Sequence, residues 1–373
     1  MKNIPLIKPY INDSVKKMVS HVLDSGHLTE GRVTRDLENI FAEFTEVPYA
    51  IAVNSCTTGM EIALRAFGIG EGDEVIVPDY TYPATAGVVS IVGATPVIVD
   101  VEPKTMLIDR YSVEKAITNK TKAIMPVSIF GNPLDYSWID EIKRKHNLCI
   151  IEDSACTIGA EMNGKKVGSF ADISVFSLHP RKFITTGEGG MITTSDKNLA
   201  DWMRSYKRFG IGNLEADRSD ICFVGIGTNY KLSDVLAAIG LAQMQSIDIL
   251  LSDRITQAEI YKKLVSKRNK LEIQATYDGA LHSYQTFIVF VENRNEVMRK
   301  MREIGIEVQI GTYAVHIHPA YSKYRRVAAD GSDFLKGSLY AYEHALALPM
   351  FFGLCESEQE YIIEKLEEIC NEG

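Results

Sequence analysis

Six cysteines are spread over 373 residues, and no two of them form a Cys-x-x-Cys pair, which removes zinc-ribbon and thioredoxin-like readings. Cys56, Cys149, Cys156, Cys222, Cys355 and Cys370 read as free thiols, which predicts a reducing, cytoplasmic setting. Long apolar runs are missing too. The longest, Thr85 to Val99, is interrupted by Gly87, Gly93 and Pro96 and stops at Asp100. It falls short of the ~20 residues a membrane helix needs. The opening Met1-Lys2-Asn3-Ile4-Pro5 has no apolar core, so no secretory signal is expected. Excess positive charge is also absent: 40 Lys and Arg stand against 49 Asp and Glu, a formal charge of −9. An acidic surface repels phosphate backbones, so neither nucleic acid nor a membrane is expected as a partner. No repeat, low-complexity tract or long charge run points to disorder. Walker A, H-E-x-x-H and G-x-S-x-G sequences are absent. Gly68-Ile69-Gly70, Gly210-Ile211-Gly212 and Gly225-Ile226-Gly227 lack the third glycine of a dinucleotide fingerprint. His316 and His318 form the one close histidine pair, and no metal site is expected from it.

What remains is ordinary globular composition, 46% hydrophobic and 24% charged, at a length that predicts two domains. Between about residues 45 and 195, short β-branched runs alternate with amphipathic segments. The pattern predicts strands at 49–53, 74–77, 95–100 and 123–127, and a short apolar run at 149–151 that ends in Glu152-Asp153. Helices are expected over 57–67, 82–91 and 136–146. Such alternation argues for a mostly parallel α/β sheet, with ligands bound beyond the carboxyl ends of its strands. After about residue 230 the pattern changes. Helices are expected over 232–249, 253–264, 295–304 and 356–370, with strands over 286–291 and 306–310. We therefore expect a large α/β domain over 1–250 and a smaller α+β domain over 251–373, with the first ~25 residues packing on the smaller one.

The most unusual stretch is Phe176-Ser177-Leu178-His179-Pro180-Arg181-Lys182-Phe183-Ile184-Thr185-Thr186-Gly187-Glu188-Gly189-Gly190. It sets a lysine in a polar, glycine-rich loop between two β-like runs. Most such lysines are merely solvated. The sharper reading is a Schiff-base lysine for pyridoxal phosphate (PLP), which makes further demands. The ring nitrogen needs a carboxylate, and Asp153 ends a buried-type strand; an ordinary cap or turn is the alternative. The phosphate needs amides at a helix N-terminus, and Asn54-Ser55-Cys56-Thr57-Thr58-Gly59 supplies a Ser/Thr-rich helix start. The ring needs an aromatic platform, which Tyr80 or Tyr82 can provide, although either fits a core equally well. Four demands met within one α/β domain favour PLP.

Further signposts run through the chain: Ser25-Gly26-His27-Leu28-Thr29-Glu30-Gly31, Gly70-Glu71-Gly72-Asp73-Glu74-Val75-Ile76-Val77-Pro78, Gly227-Thr228-Asn229-Tyr230-Lys231-Leu232-Ser233, His316-Ile317-His318-Pro319-Ala320-Tyr321 and Leu348-Pro349-Met350-Phe351-Phe352-Gly353-Leu354. On these and the lysine loop, the chain resembles the DegT-type sugar aminotransferases, a branch of the aspartate-aminotransferase (fold type I) superfamily. The resemblance implies a mixed, mostly parallel sheet of seven-stranded type between helices. It implies Lys182 as Schiff-base lysine and proton shuttle, and Asp153 on the ring nitrogen. Tyr82 would stack on the ring. Thr57, the amide of Thr58, and Ser177 would hold the phosphate. Asn229 would reach that phosphate from the neighbouring subunit of a homodimer. His316 is the implied sugar-side histidine, with Tyr313 and Arg181 as further substrate candidates. The implied reaction passes an amino group from L-glutamate, through pyridoxamine phosphate, to a keto-sugar. A nucleoside-diphosphate-linked 4-keto- or 3-keto-deoxysugar is foremost, with a small phosphorylated ketone or a keto-cyclitol as alternative acceptors, or a PLP-binding regulator without turnover as a different class. Two positions depart from the family pattern: Cys156 stands where Gln or Glu is usual, and Cys56-Thr57 where Gly-Thr is common. A histidine at the lysine position marks the related dehydratases, so Lys182 disfavours dehydration. Lys207, Arg208, Arg325 and Arg326 join Arg181 as cations for anionic ligands, although simple solvation is the commoner explanation for any one of them. Burial and a nearby cation are expected to lower the Lys182 pKa.

Overall fold

Apolar runs such as Tyr49-Ala50-Ile51-Ala52-Val53 are long enough for a strand and apolar on both faces, the mark of a sheet covered on both sides. The computed structural model, which describes residues 3–213, 217–268 and 271–372, shows that sheet. Its spatial order is Tyr49–Val53, Gly190–Thr194, Ile173–Ser177, Cys149–Asp153, Thr121–Ile124, Glu74–Pro78, Thr95–Val99 and Arg326–Val327. Only Gly190–Thr194 runs antiparallel to its neighbours. The seven strands expected are present, and the two-residue Arg326–Val327, parallel to Thr95–Val99, adds an eighth at the edge. Alternate residues feed opposite cores. Val75, Val77 and Ile98 join Met60 and Leu64 on one side, whereas Ile76, Val97 and Val99 join Trp138 and Ile142 on the other.

A second, antiparallel sheet has the order Glu272–Ile273, Phe287–Phe290, Ala345–Leu348, Gln309–Ile310. Helices Ile247–Val265, Arg294–Glu303 and Glu356–Glu372 pack with it around Tyr261, Phe287, Leu346 and Ile362. Ile4 bridges to Ile306 on this unit, and the Met350 amide donates to the Leu6 carbonyl. The expected strand over 306–310 is reduced to Gln309–Ile310 because Ile306 pairs with Ile4 instead.

The chain then returns to the large sheet. Tyr313–Ala314 pairs antiparallel with Tyr80–Thr81, setting Tyr313 opposite Thr81. Helix Tyr136–His146 lies where its periodicity predicts. The helices expected over 232–249 and 253–264 are instead Asp234–Met244 and Ile247–Val265, bent by 62° at the break. No single helix among the described residues is long and apolar enough to cross a membrane.

Candidate active site

Successive residues of a strand face opposite sides, and the end of Cys149–Asp153 uses this. Glu152 turns to Tyr136, whose hydroxyl donates at 2.8 Å, and Asp153 turns to Thr85. Thr85 Oγ1 donates to Asp153 Oδ2 at 2.8 Å, and the Ala155 amide donates to Oδ1 at 3.1 Å. Asp153 is buried, and burial pushes its carboxyl above the usual range, while Thr85, the Ala155 amide and Lys182 pull it part of the way back. A carboxylate has about four lone-pair sites, so two donors leave room for a third.

Lys182 lies five residues beyond the neighbouring strand, Ile173–Ser177, in a tightly bonded loop. The Leu178 amide donates to the Gly189 carbonyl at 3.0 Å, and the Lys182 amide donates to the His179 carbonyl at 2.8 Å. Nζ of Lys182 donates to Cys156 Sγ at 2.9 Å. Burial alone pulls this amine down. The thiols of Cys156 and Cys56 and the Asp153 carboxylate outweigh burial and hold it above the ordinary lysine value. The expected lowering is therefore corrected: the acidic groups around Nζ win. Cys56 itself is buried, and burial, with Asp153 and Cys156 adding, keeps its thiol protonated against the pull of Lys182.

Cys56 opens the helix Cys56–Ala66. Ser55 is its N-cap, accepting from the Thr58 amide at 3.1 Å. Thr58 Oγ1 bonds Asn54 Oδ1 at 2.7 Å, and Thr57 is exposed. Ser177, buried, lies opposite Gly190 in the sheet, and Gly190 lies opposite Val53 on its other side. A Cβ on Gly190 would sit 2.6 Å from the Cys56 amide nitrogen, so glycine is what lets this strand touch the helix N-terminus. The first amides of a helix have no intrahelical partner. An amine, a buried carboxylate with spare acceptor capacity, and a helix start flanked by hydroxyls are the donor set PLP requires, so the residues present fit the group. Bound there, PLP supplies an electron sink that lets an amino group pass between an amino acid and a carbonyl compound.

The two tyrosines separate. Tyr80 is core, 1% exposed against Phe130, and its hydroxyl accepts from the Thr312 amide. Tyr82 is 64% exposed, and its ring centre is 6.2 Å from that of Tyr313. His316 is held by the fully buried Asp79, which takes its amide at 2.8 Å and faces its Nδ1 at 2.6 Å. Ser338 also donates to Asp79. Nε2 is thus the His316 nitrogen left for a ligand. Asn229 is exposed, and its side chain accepts from Lys231 at 2.6 Å rather than meeting the Lys182–Asp153 group.

Arg181 is exposed beside Lys182. The other candidate cations are committed elsewhere. Lys207 is fully buried, bonded to Glu30 at 2.9 Å, Glu38 at 3.1 Å and the Ala52 carbonyl at 2.7 Å. Arg208 pairs with Glu30, Arg325 with the Ala116 carbonyl, and Arg326 with Asp333. Lys207 ties the helix Arg32–Thr45 to the sheet instead of binding a ligand. Sequence reasoning missed Thr85 and Asp79. Their only local signal is that each follows a strand end in the run Pro78-Asp79-Tyr80-Thr81-Tyr82-Pro83-Ala84-Thr85.

The sequence profile of the DegT/DnrJ/EryC1/StrS aminotransferase family matches residues 9–367. The chain belongs to this family. It is 36% identical over 373 residues to GDP-perosamine synthase of Escherichia coli O157:H7, covering 99% of each chain. Among solved structures, the aminotransferase TlmJ from Streptoalloteichus hindustanus superposes with a TM-score of 0.92 at 27% identity, covering 100% of both chains. The PLP form of Spr1654 from Streptococcus pneumoniae superposes with a TM-score of 0.91 at 28% identity, covering 100% of this chain and 99% of that one. The DegT-family chain described here is a PLP-dependent aminotransferase, of the α/β architecture its sequence implies.

Proposed function

We propose that this aminotransferase moves the amino group of L-glutamate onto a nucleoside-diphosphate-linked keto-sugar, a 4-keto- or 3-keto-deoxysugar, with guanosine diphosphate as the first carrier to test. The observation that carries the reading is the 36% identity to a GDP-perosamine synthase across 99% of both chains. Lys182 is the amine that holds the cofactor, and it moves a proton at Nζ. Asp153, oriented by Thr85 and the Ala155 amide, is the carboxylate that pairs with the ring nitrogen. Thr57 and Ser177 hold the phosphate, joined by the Thr58 amide when it leaves its Ser55 cap, and Tyr82 presents its exposed ring as the platform. Tyr313, His316 and Arg181 stand on the sugar side. Asp79 fixes the His316 ring so that Nε2 faces the ligand.

The same reading includes a homodimer in which Asn229 completes the partner subunit's phosphate site. Its support is local. Asn229 is exposed, and just before it Phe223, Val224 and Ile226 are 63%, 70% and 97% exposed, an apolar strip that a second copy would cover.

The test is product analysis by mass spectrometry. PLP-loaded protein and L-glutamate are incubated with GDP-, UDP- and dTDP-linked keto-deoxysugars, beside small phosphorylated ketones and keto-cyclitols. Amination confined to a nucleotide sugar is the expected result. Amination of the small ketones alone would overturn the acceptor assignment, and no turnover with any pair would favour a PLP-binding regulator.

A further inference from the structure

Two glutamines grip the backbone of the lysine loop from outside it. Gln243 bonds both backbone groups of Thr185, accepting from its amide at 3.1 Å and donating to its carbonyl at 2.7 Å. Gln285 straddles Lys182 itself. Its Oε1 accepts from the Phe183 amide at 3.0 Å, and its Nε2 donates to the Arg181 carbonyl at 2.8 Å. One buried amide side chain thus fixes the peptide groups on both sides of the reactive residue, from 102 positions further along the chain.

Gln285 is itself held at several points. Arg254, buried, donates from Nη1 to the carbonyls of Tyr284 and Gln285 at 2.9 and 3.1 Å, and its guanidinium lies 5.1 Å from the ring centre of Phe183. His282 Nδ1 accepts from the Tyr284 amide at 2.8 Å, and its Nε2 faces Gln274 Oε1 at 3.2 Å. The Ser283 amide donates to Gly131, and the Thr286 amide to Phe130. Gly131 has φ +98°, and a Cβ there would sit 2.9 Å from the Tyr284 nitrogen and 3.0 Å from that of Gln285. Tyr284 takes a left-handed φ of +49° to complete the turn. The Ser283, Tyr284 and Thr286 amides and the Tyr284 and Gln285 carbonyls of this turn are all bonded, and what the turn presents to the site is the Gln285 side-chain amide.

We infer that Gln285 is a positioning residue for the transamination: backed by Arg254 and His282, it splints residues 181–183 so that Lys182 Nζ stays in register with Cys156 and Asp153. The inference rests on Lys182 being the reactive amine. Proton transfer by a positioned group depends steeply on placement. A loop held at two peptide groups loses less freedom at the moment of reaction than one held at none.

The test compares wild type with Gln285→Met and Gln285→Glu, all loaded with PLP. Met keeps the length and removes both bonds. The rate constant of the visible spectral change on adding L-glutamate should fall on the order of 10- to 100-fold in Gln285→Met, with the half-saturating glutamate concentration within about twofold of wild type. Hydrogen exchange over residues 179–186 should quicken in the same variant. Glu keeps the acceptor and, when protonated, also donates, so it can satisfy both peptide groups only in acid. Its rate relative to wild type should therefore rise as pH falls, and burial moves that transition upward from an ordinary glutamate. A Gln285→Met enzyme reacting at the wild-type rate, or a Gln285→Glu ratio flat with pH, overturns the inference. If Gln285→Met does not fold, the Glu ratio decides alone. If wild type binds PLP but ignores glutamate, the donor assignment has failed, and the exchange data still read the splint. If wild type binds no PLP, the reading of Lys182 fails instead.

Discussion

The Cys156 thiol and the Lys182 amine form a hydrogen-bonded pair, 2.9 Å apart. The pairing has a consequence for loading. An amine must be neutral to attack the PLP carbonyl, and Cys156 is the strongest of the groups raising the Lys182 pKa. Cys156→Ala should lower that pKa. The pH profile for capture of PLP by cofactor-free protein, followed by the growth of visible absorption, should move to lower pH. Cys56→Ala should act in the same direction but more weakly, because its pull on the amine ranks below that of Cys156. An unmoved Cys156→Ala profile would show that the thiol does not control the amine.

Asp153 and Thr85 make a second pair whose effect has a definite sign. Burial raises the Asp153 pKa, and the Thr85 hydroxyl is the first group opposing it. Removing the hydroxyl in Thr85→Val should raise the pKa further. The acid limb of kcat/KM then moves to higher pH, and Thr85→Ser should restore it. Asp153→Asn, which cannot carry charge at any pH, should lose on the order of 10²- to 10³-fold in kcat across the range. An Asp153→Asn enzyme of near wild-type activity would remove the carboxylate from the mechanism.

In the turn that carries Gln285, His282 gives a stability prediction. Burial first, then the nearby Lys262 charge, lowers its pKa from the ordinary 6.5 to about 3. Its Nδ1 must stay unprotonated to accept the Tyr284 amide. The unfolded chain therefore binds a proton that the folded chain refuses between pH 6.5 and about 3. Stability from this group is complete above pH 6.5 and is lost as pH falls through that window, roughly 5 kcal/mol in all. His282→Asn offers an oxygen near the Nδ1 position without the titration. Urea unfolding at several pH values should show a shallower acid slope for this variant than for wild type; parallel slopes would count against a neutral His282.

The parts of this molecule that sequence discloses are the local ones. Tyr136–His146 follows from its own periodicity, and the alternation of strand and helix from residue 45 to 195 identifies the sheet. Lys182 and Asp153 stand out in the sequence, Asp153 as the end of an apolar strand and Lys182 in a glycine-rich loop just beyond another. The helix pair Asp234–Met244 and Ile247–Val265 is misplaced because the bend at Gln245–Ser246 has no proline or glycine to announce it. Asp79 and Gln285 are illegible for another reason. Their partners, His316 and Phe183, lie 237 and 102 positions away, and nothing in a single sequence pairs residues across such distances. Lys207 is the converse case. Its sequence setting looks like a surface cation, and only the fold shows Glu30 and Glu38 closing on it.

The shared-site dimer is tested by complementation. Lys182→Ala leaves no amine to hold the cofactor and should reduce activity to background with an unchanged circular dichroism spectrum. Asn229→Ala should retain its lysine but release PLP more readily. In a mixed dimer of the two, one site draws Lys182 from the Asn229→Ala subunit and Asn229 from the Lys182→Ala subunit, and is whole. The other site lacks both. Random pairing of equal amounts should make about one site in four whole, from two preparations that are each impaired. Activity should appear with the time course of subunit exchange, measured independently by mixing differently labelled chains. If exchange is complete and activity does not recover, Asn229 serves its own subunit or none, and the exposed strip at Phe223, Val224 and Ile226 must be covered in some other way.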